Sequence, residues 1–162
     1  MASVFVSRWD GAVKDTVPDA LRNQLAIAVS RRTYKAYRSL LSAPRWQRIY
    51  NAGARPQRLL WASTGTKDPK VSDVLYIRAL AAPFTVNTIP EGTLKALADH
   101  GDVPTLMRAD GGTCEEVLKQ FAEAGVEIHA LAQRLQKDGA DSFVKSWNEL
   151  MGVISSKSAA LK

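Results

Sequence analysis

Cysteine is almost missing from the 162-residue chain. Cys114 stands alone, so no internal disulfide can form, and a reducing compartment is the expectation. Histidine is nearly as scarce. His100 and His129 lie far apart and leave no cluster at metal-ligand spacing, so no metal is expected. No stretch approaches about 18 uncharged apolar residues, which excludes a membrane-spanning helix. Arg8 brings a charge too early for a secretory leader, and the expected location is the cytoplasm. A Walker loop, a Gly-x-Ser-x-Gly elbow and a dinucleotide glycine motif are all absent, so no cofactor is expected. The chain is also too short for a complete eight-stranded β/α barrel, which takes about 250 residues.

Acidic residues are missing from one long stretch. Between Arg22 and Arg58 there are nine basic residues and no acidic one, whereas the whole chain carries a net charge of only +6. Such a segment, 22–58, suits a polyanion, and a non-catalytic RNA-binding module is one reading of it. The other is a solvated helix face whose counter-charges lie elsewhere in the fold.

What is present has a regular order. Three short apolar, β-prone runs stand at Ser3–Ser7, Leu59–Ser63 and Thr85–Thr88, each bounded by turn signals. Arg8-Trp9-Asp10-Gly11 reads as the turn after the first. Helical spacing follows each run. Pro18-Asp19 opens a long helix with Leu21, Leu25, Ala28, Ala36 and Leu40 on one face, and Trp46, Ile49 and Tyr50 suit a shorter one. Residues 74–79 fit either a strand or a helical turn. Glu91 to His100 reads as helix, and Thr113-Cys114-Glu115-Glu116 as a capping box with Thr113 as N-cap. Cys114 at that helix start is placed for a lowered pKa. A short helix from Ile128 should stop at Gly139. Asp141 then caps another, with Phe143, Val144, Trp147, Leu150, Met151 and Ile154 on one face, and residues 156–162 form a frayed tail.

Strands alternating with helices imply an α/β fold with parallel strands. About three of them, with flanking helices and a helical C-terminus, make a partial TIM-type (β/α) barrel over residues 1–155. In such folds functional side chains gather at the C-terminal ends of strands. Ser7, Arg8 and Asp10 follow the first run, Ser63, Thr64, Thr66, Lys67 and Asp68 the second, and Asn87 and Thr88 finish the third. Cations and hydroxyls at adjacent strand ends suit an anion pocket, although Arg8–Asp10 and Lys67–Asp68 also fit local surface pairs. Trp46, Trp61 and Trp147 read as core residues, and His129 as a satisfied structural histidine.

The same residues carry a resemblance. Ser3-Val4-Phe5-Val6-Ser7-Arg8-Trp9-Asp10, the segment Gln57 to Pro69 with its Trp61-Ala62-Ser63-Thr64-Gly65-Thr66-Lys67 core, Thr85-Val86-Asn87-Thr88-Ile89-Pro90 and Ala98-Asp99-His100-Gly101 resemble transaldolase. The similar branch is that of plants and many bacteria, including forms fused to phosphoglucose isomerase. The resemblance covers the C-terminal half of that enzyme. It implies transfer of a dihydroxyacetone unit between sugar phosphates through a Schiff base. Sedoheptulose 7-phosphate and glyceraldehyde 3-phosphate of the pentose phosphate pathway would be the substrates. It further implies that Arg8 binds phosphate, that Ser3 and Phe5 face the cavity from the same strand, that Ser63 stands at the next strand end, and that Lys67 is a second phosphate cation. Trp9 and Ile89 depart from the family's usual Val and Met.

The family's Schiff-base lysine sits in an earlier strand with a Lys-Ile-Pro-Ala-Thr-like motif, which this sequence does not contain. None of its ten lysines falls inside a strand run, so no catalytic residue is assigned here. The expected partners are sugar phosphates, together with a second copy or an N-terminal half-barrel. A half-barrel exposes strand edges and an apolar face that favour association. No membrane is expected as a partner, and nucleic acid only under the polyanion reading.

Overall fold

A computed structural model describes residues 1–103 and 105–161 of the chain. Within them lie three strands and seven α-helices. In chain order these are β1 (Ala2–Phe5), α1 (Val6–Val13), a 3-10 turn (Asp19–Leu21), α2 (Leu25–Ser42), α3 (Pro44–Asn51), β2 (Leu59–Ala62), α4 (Leu75–Leu80), β3 (Thr85–Asn87), α5 (Glu91–His100), α6 (Cys114–Glu123) and α7 (Ile128–Ala159). They divide into two compact units, residues 1–125 and 126–162.

The first unit is built on one parallel sheet of order β1-β2-β3, as the strand–helix alternation requires. Ala2 pairs with Leu59 and Phe5 with Ala62, while Leu59 pairs with Thr85. Strand alternation then sorts the side chains into two sets. Val4, Leu59 and Trp61 join the core with Val6, Ala26, Tyr34, Tyr76 and Leu80. Ser3, Phe5, Leu60 and Val86 lie on the opposite face, where Ser3 is exposed and the others are half-buried. Trp61 is the largest side chain sealed in this core, and its indole N–H donates to the Leu80 carbonyl at 3.1 Å.

Several expected boundaries are corrected. The first strand stops at Phe5, and Ser7, Arg8 and Asp10 lie on helix α1, not in a turn. The reason is a helical face: Val6, Ser7, Asp10 and Val13 are buried together, and Gly11 falls where nothing approaches it. The second strand ends at Ala62, one residue early. The third ends at Asn87. The long helix starts at Leu25, because Asn23 takes a left-handed φ of 61° just before it. The ambiguous run at 74–79 is helical, as α4.

Thr113 makes no side-chain cap, so the capping box does not form. Its φ of −86° and ψ of 19° are far from the extended geometry that aims an N-cap hydroxyl along the helix. Burial first, and the neighbouring Glu115 charge second, push the Cys114 thiol up in pKa, the reverse of the expected lowering. In the second unit, Gly139 does not end a helix and Asp141 does not cap one. Helix α7 runs unbroken from Ile128 to Ala159, and Asp141 instead pairs with Lys137. The tail expected to fray from 156 is helical through Ala159, and Lys162 lies outside the described residues. Trp147 is not core. It is 62% exposed, in a row with Leu150, Met151 and Ile154. His129 is exposed as well, and Trp46 only half-buried.

Some counter-charges for the basic segment do lie elsewhere in the fold. Arg22 pairs with Asp19 and Arg32 with Glu115, while Arg38 stacks on the Tyr34 and Phe84 rings. No helix among the described residues is long and apolar enough to cross a membrane.

His100, at the end of α5, ties that helix to the segment before α4. Its Nε2 lies 3.0 Å from Asp73 and its Nδ1 3.2 Å from Asp99, and the Asp73 hydrogen bond, then the Asp99 one, raises the imidazole pKa. A folded-state pKa above the unfolded 6.5 means the tie is fully present below that value and is lost as pH rises through the raised one. An NMR titration of the His100 ring should show this elevated midpoint, and Asp73→Asn should lower it. An ordinary midpoint that Asp73→Asn leaves alone would contradict the assignment.

Candidate functional site

The C-terminal ends of the strands bring most of the expected residues together. Helix α1 starts at the end of β1 with no connecting loop, so Arg8 sits on its first turn. The Arg8 guanidinium carbon lies 4.3 Å from the centre of the Phe5 ring, a cation–π contact that gives the side chain a defined direction. Next along the sheet, the Ser7 amide donates to the Ser63 carbonyl at 3.0 Å, which bonds the residue before Arg8 to the residue that follows β2.

Ser63 itself is strained. It follows β2 with a φ of 54°, in the left-handed region where a non-glycine residue costs of the order of 1–3 kcal/mol. Thr64, fully buried, donates its hydroxyl to Asn87 Oδ1 at 2.8 Å, and Thr88 donates its amide to the Trp61 carbonyl at 3.0 Å. These bonds stitch the end of β2 to the end of β3 and hold the strained residue in place.

Lys67 stands apart. It is exposed on the loop after β2, and no hydrogen bond or ion pair joins it to Arg8 or Ser63 among the described residues. Its neighbour Asp68 is not its partner. Asp68 accepts from the Asn23 side-chain amide at 3.0 Å and from the Lys70 N–H at 2.9 Å, and these two bonds, in that order, lower its pKa. Ser3 occupies the same sheet face as Phe5, as a period of two demands, and is exposed there.

Asp10 does not pair with Arg8 either. Its carboxylate is buried, with Oδ1 accepting the Ala26 N–H at 3.0 Å and Oδ2 the Tyr76 hydroxyl at 2.7 Å. Helix α2 has no side-chain cap of its own, so Asp10 caps it from another element. Burial raises the Asp10 pKa against the pull of its hydrogen bonds from Tyr76, Ala26 and Leu25. Burial, then the Asp10 charge, raises that of Tyr76, which keeps the phenol a donor. Asp10 and Tyr76 are 66 residues apart, and the only local hint was the helical spacing from Val6 to Asp10.

Among the described residues no group of three His, Cys, Asp or Glu side chains is placed to hold a metal. An open depression of about 640 Å³ is lined by Asp141, Val144, Lys145, Asn148 and Glu149. All five come from α7, so it is a furrow in that helix surface and brings no separate elements together.

A guanidinium held against an aromatic ring, as that of Arg8 is, presents a planar set of donors that suits a compact anion. The sequence model for Transaldolase/Fructose-6-phosphate aldolase matches residues 1–154. The transaldolase of Parafrankia sp. (strain EAN1pec) is 44% identical over 95% of this chain and 44% of its own length. That of Thermobifida fusca (strain YX) is 42% identical over 99% of this chain and 46% of its own. A Neisseria meningitidis transaldolase is 37% identical over 93% of the chain and 43% of its own. The chain thus spans a little under half the length of these relatives. With the family model covering nearly all of it, and its parallel strands and flanking helices matching a part of a TIM-type α/β fold, the chain belongs to the transaldolase/fructose-6-phosphate aldolase family.

Proposed function

We propose that the chain serves transaldolase-type transfer of a dihydroxyacetone unit between sugar phosphates and supplies the phosphate-binding part of the site. The observation that carries this reading is the seat of Arg8, on the first turn after β1, against the Phe5 ring and one residue after the Ser7 amide that bonds Ser63. In this reading Arg8 is the main phosphate ligand and the Ser63 hydroxyl adds a hydrogen bond. Ser3 and Phe5 line the substrate side of the sheet. Lys67 is the second cation, reaching the phosphate by movement of its exposed loop. The proposed substrates are sedoheptulose 7-phosphate and glyceraldehyde 3-phosphate, in the pentose phosphate pathway, and the proposed setting is the cytoplasm. One buried thiol fits a reducing compartment there.

The reaction also needs a Schiff-base lysine, which in this reading belongs to the part of the barrel that this chain does not span. Two features support pairing with that part. Strands β1 and β3 are the two edges of the sheet among the described residues. Helix α7 exposes Trp147, Leu150, Met151 and Ile154 by 46–62%.

The test is Arg8→Ala, with binding of fructose 6-phosphate followed by NMR titration of the full chain. A charge-assisted contact is worth about 1.5–3 kcal/mol, so affinity should fall roughly ten- to a hundredfold. An unchanged affinity would remove Arg8 from the site.

A further inference from the structure

We propose that Asp10 is a positioning residue for the anion site, setting through helix α1 the place from which Arg8 reaches its ligand; this rests on the reading of Arg8 as a phosphate ligand.

Helix α1 is short, and although Val6 and Val13 pack its buried face, it has few polar restraints. It has eight residues, no side-chain N-cap and no acidic residue in its first turn to favour the helix dipole. It is tied to the sheet at its start, where Ser7 N–H meets Ser63 O. Its second polar tie is Asp10, which reaches α2 through Ala26 and α4 through Tyr76. Arg8 lies between these ties, one residue after Ser7 and two before Asp10. Both of Asp10's anchors are rigid, since Ala26 is fully buried and Tyr76 is 3% exposed in the same core cluster. The direction of the Arg8 side chain therefore depends on a helix held at both sides of that residue. A ligand site tolerates only about 0.5 Å of drift in such a group.

The chemistry of the tie calls for a carboxylate. Its partners, the Leu25 and Ala26 amides and the Tyr76 phenol, are all donors, so both side-chain oxygens must accept. Asparagine can keep the Ala26 bond with its one oxygen and give its NH₂ to a rotated Tyr76 hydroxyl. Alanine loses these bonds and leaves buried donors unpaired.

A double-mutant cycle on the full chain tests this, with fructose 6-phosphate and inorganic phosphate as probes and affinities read by NMR titration. Asp10→Ala should weaken binding about tenfold, the low end of what a supporting partner of a ligand group costs. Asp10→Asn should restore most of the affinity. In an Arg8→Ala background, Asp10→Ala should cause no further loss, because Asp10 acts only through Arg8. Circular dichroism checks that each variant is folded. If Asp10→Ala is not, Tyr76→Phe, which removes one of these bonds, should still show a partial loss. Folded Asp10→Ala or Tyr76→Phe chains with undiminished affinity overturn the proposal. So does an equal Asp10→Ala loss with and without Arg8. Those results leave the anion site standing, whereas no measurable binding by the unaltered chain, or none lost on Arg8→Ala, removes the site and the positioning role together.

Discussion

Trimming Trp61 to alanine should destabilise the first unit by about 3–5 kcal/mol, the usual cost of emptying a large aromatic site. Set against a total stability of about 5–15 kcal/mol for a domain, that is from about a fifth to all of it. Trp61 is 1% exposed, on the middle strand of three, with its ring among Val6, Ala26, Tyr34, Tyr76 and Leu80. Its loss opens a cavity and also strands the Leu80 carbonyl, which accepts the indole N–H. Urea unfolding followed by circular dichroism measures the effect. Trp61→Phe, which keeps most of the volume, should lose clearly less. A Trp61→Ala chain within about 1 kcal/mol of the parent would mean that this residue does not organise the core.

The second large effect is all-or-none. With fructose 6-phosphate and borohydride, the chain by itself should acquire no covalent adduct. A Schiff base forms when a lysine amine adds to the ketone carbon and water leaves, and borohydride then reduces the resulting iminium to a stable secondary amine. The amine must be unprotonated, which takes burial or a neighbouring cation. All nine lysines the structure describes are exposed, and none lies on a strand. Lys162 lies outside the described residues. Supplying the remaining part of a related transaldolase should place the adduct on that part, as read by mass spectrometry. An adduct on Lys67, or on any other lysine of this chain, would falsify the division of labour proposed above.

Much of the sheet was legible in the sequence, because a parallel strand covered on both faces is a short apolar run between turn signals. Ala2–Phe5, Leu59–Ala62 and Thr85–Asn87 fall inside or within one residue of such runs. Helix α1 was not legible, and the reason is chemical. Its inward face includes Ser7 and Asp10, and a polar residue buried for its hydrogen bonds looks the same in sequence as one turned to water. The continuity of helix α7 was missed for a reason of magnitude. One glycine costs about 1 kcal/mol relative to alanine, too little to stop a long helix, so Gly139 reads as a terminator and is not one. At the candidate site, Arg8 and Ser63 were named from their places at strand ends, and Phe5 through the family motif. The Asp10–Tyr76 bond joins two distant helices, and only tertiary structure could reveal it.

The parallel order of the sheet also has a kinetic side. Joining β2 to β3 closes a loop that contains α4, whereas joining β1 to β2 closes one that contains α1, α2 and α3. The second loop is a little more than twice as long as the first, and each doubling adds about 0.6 kcal/mol of closure entropy. Chain entropy therefore sets β1 at a disadvantage to β3 in finding the middle strand. Arg8 is reached directly from β1, so the residue that defines the candidate anion site depends on the slower of the two closures.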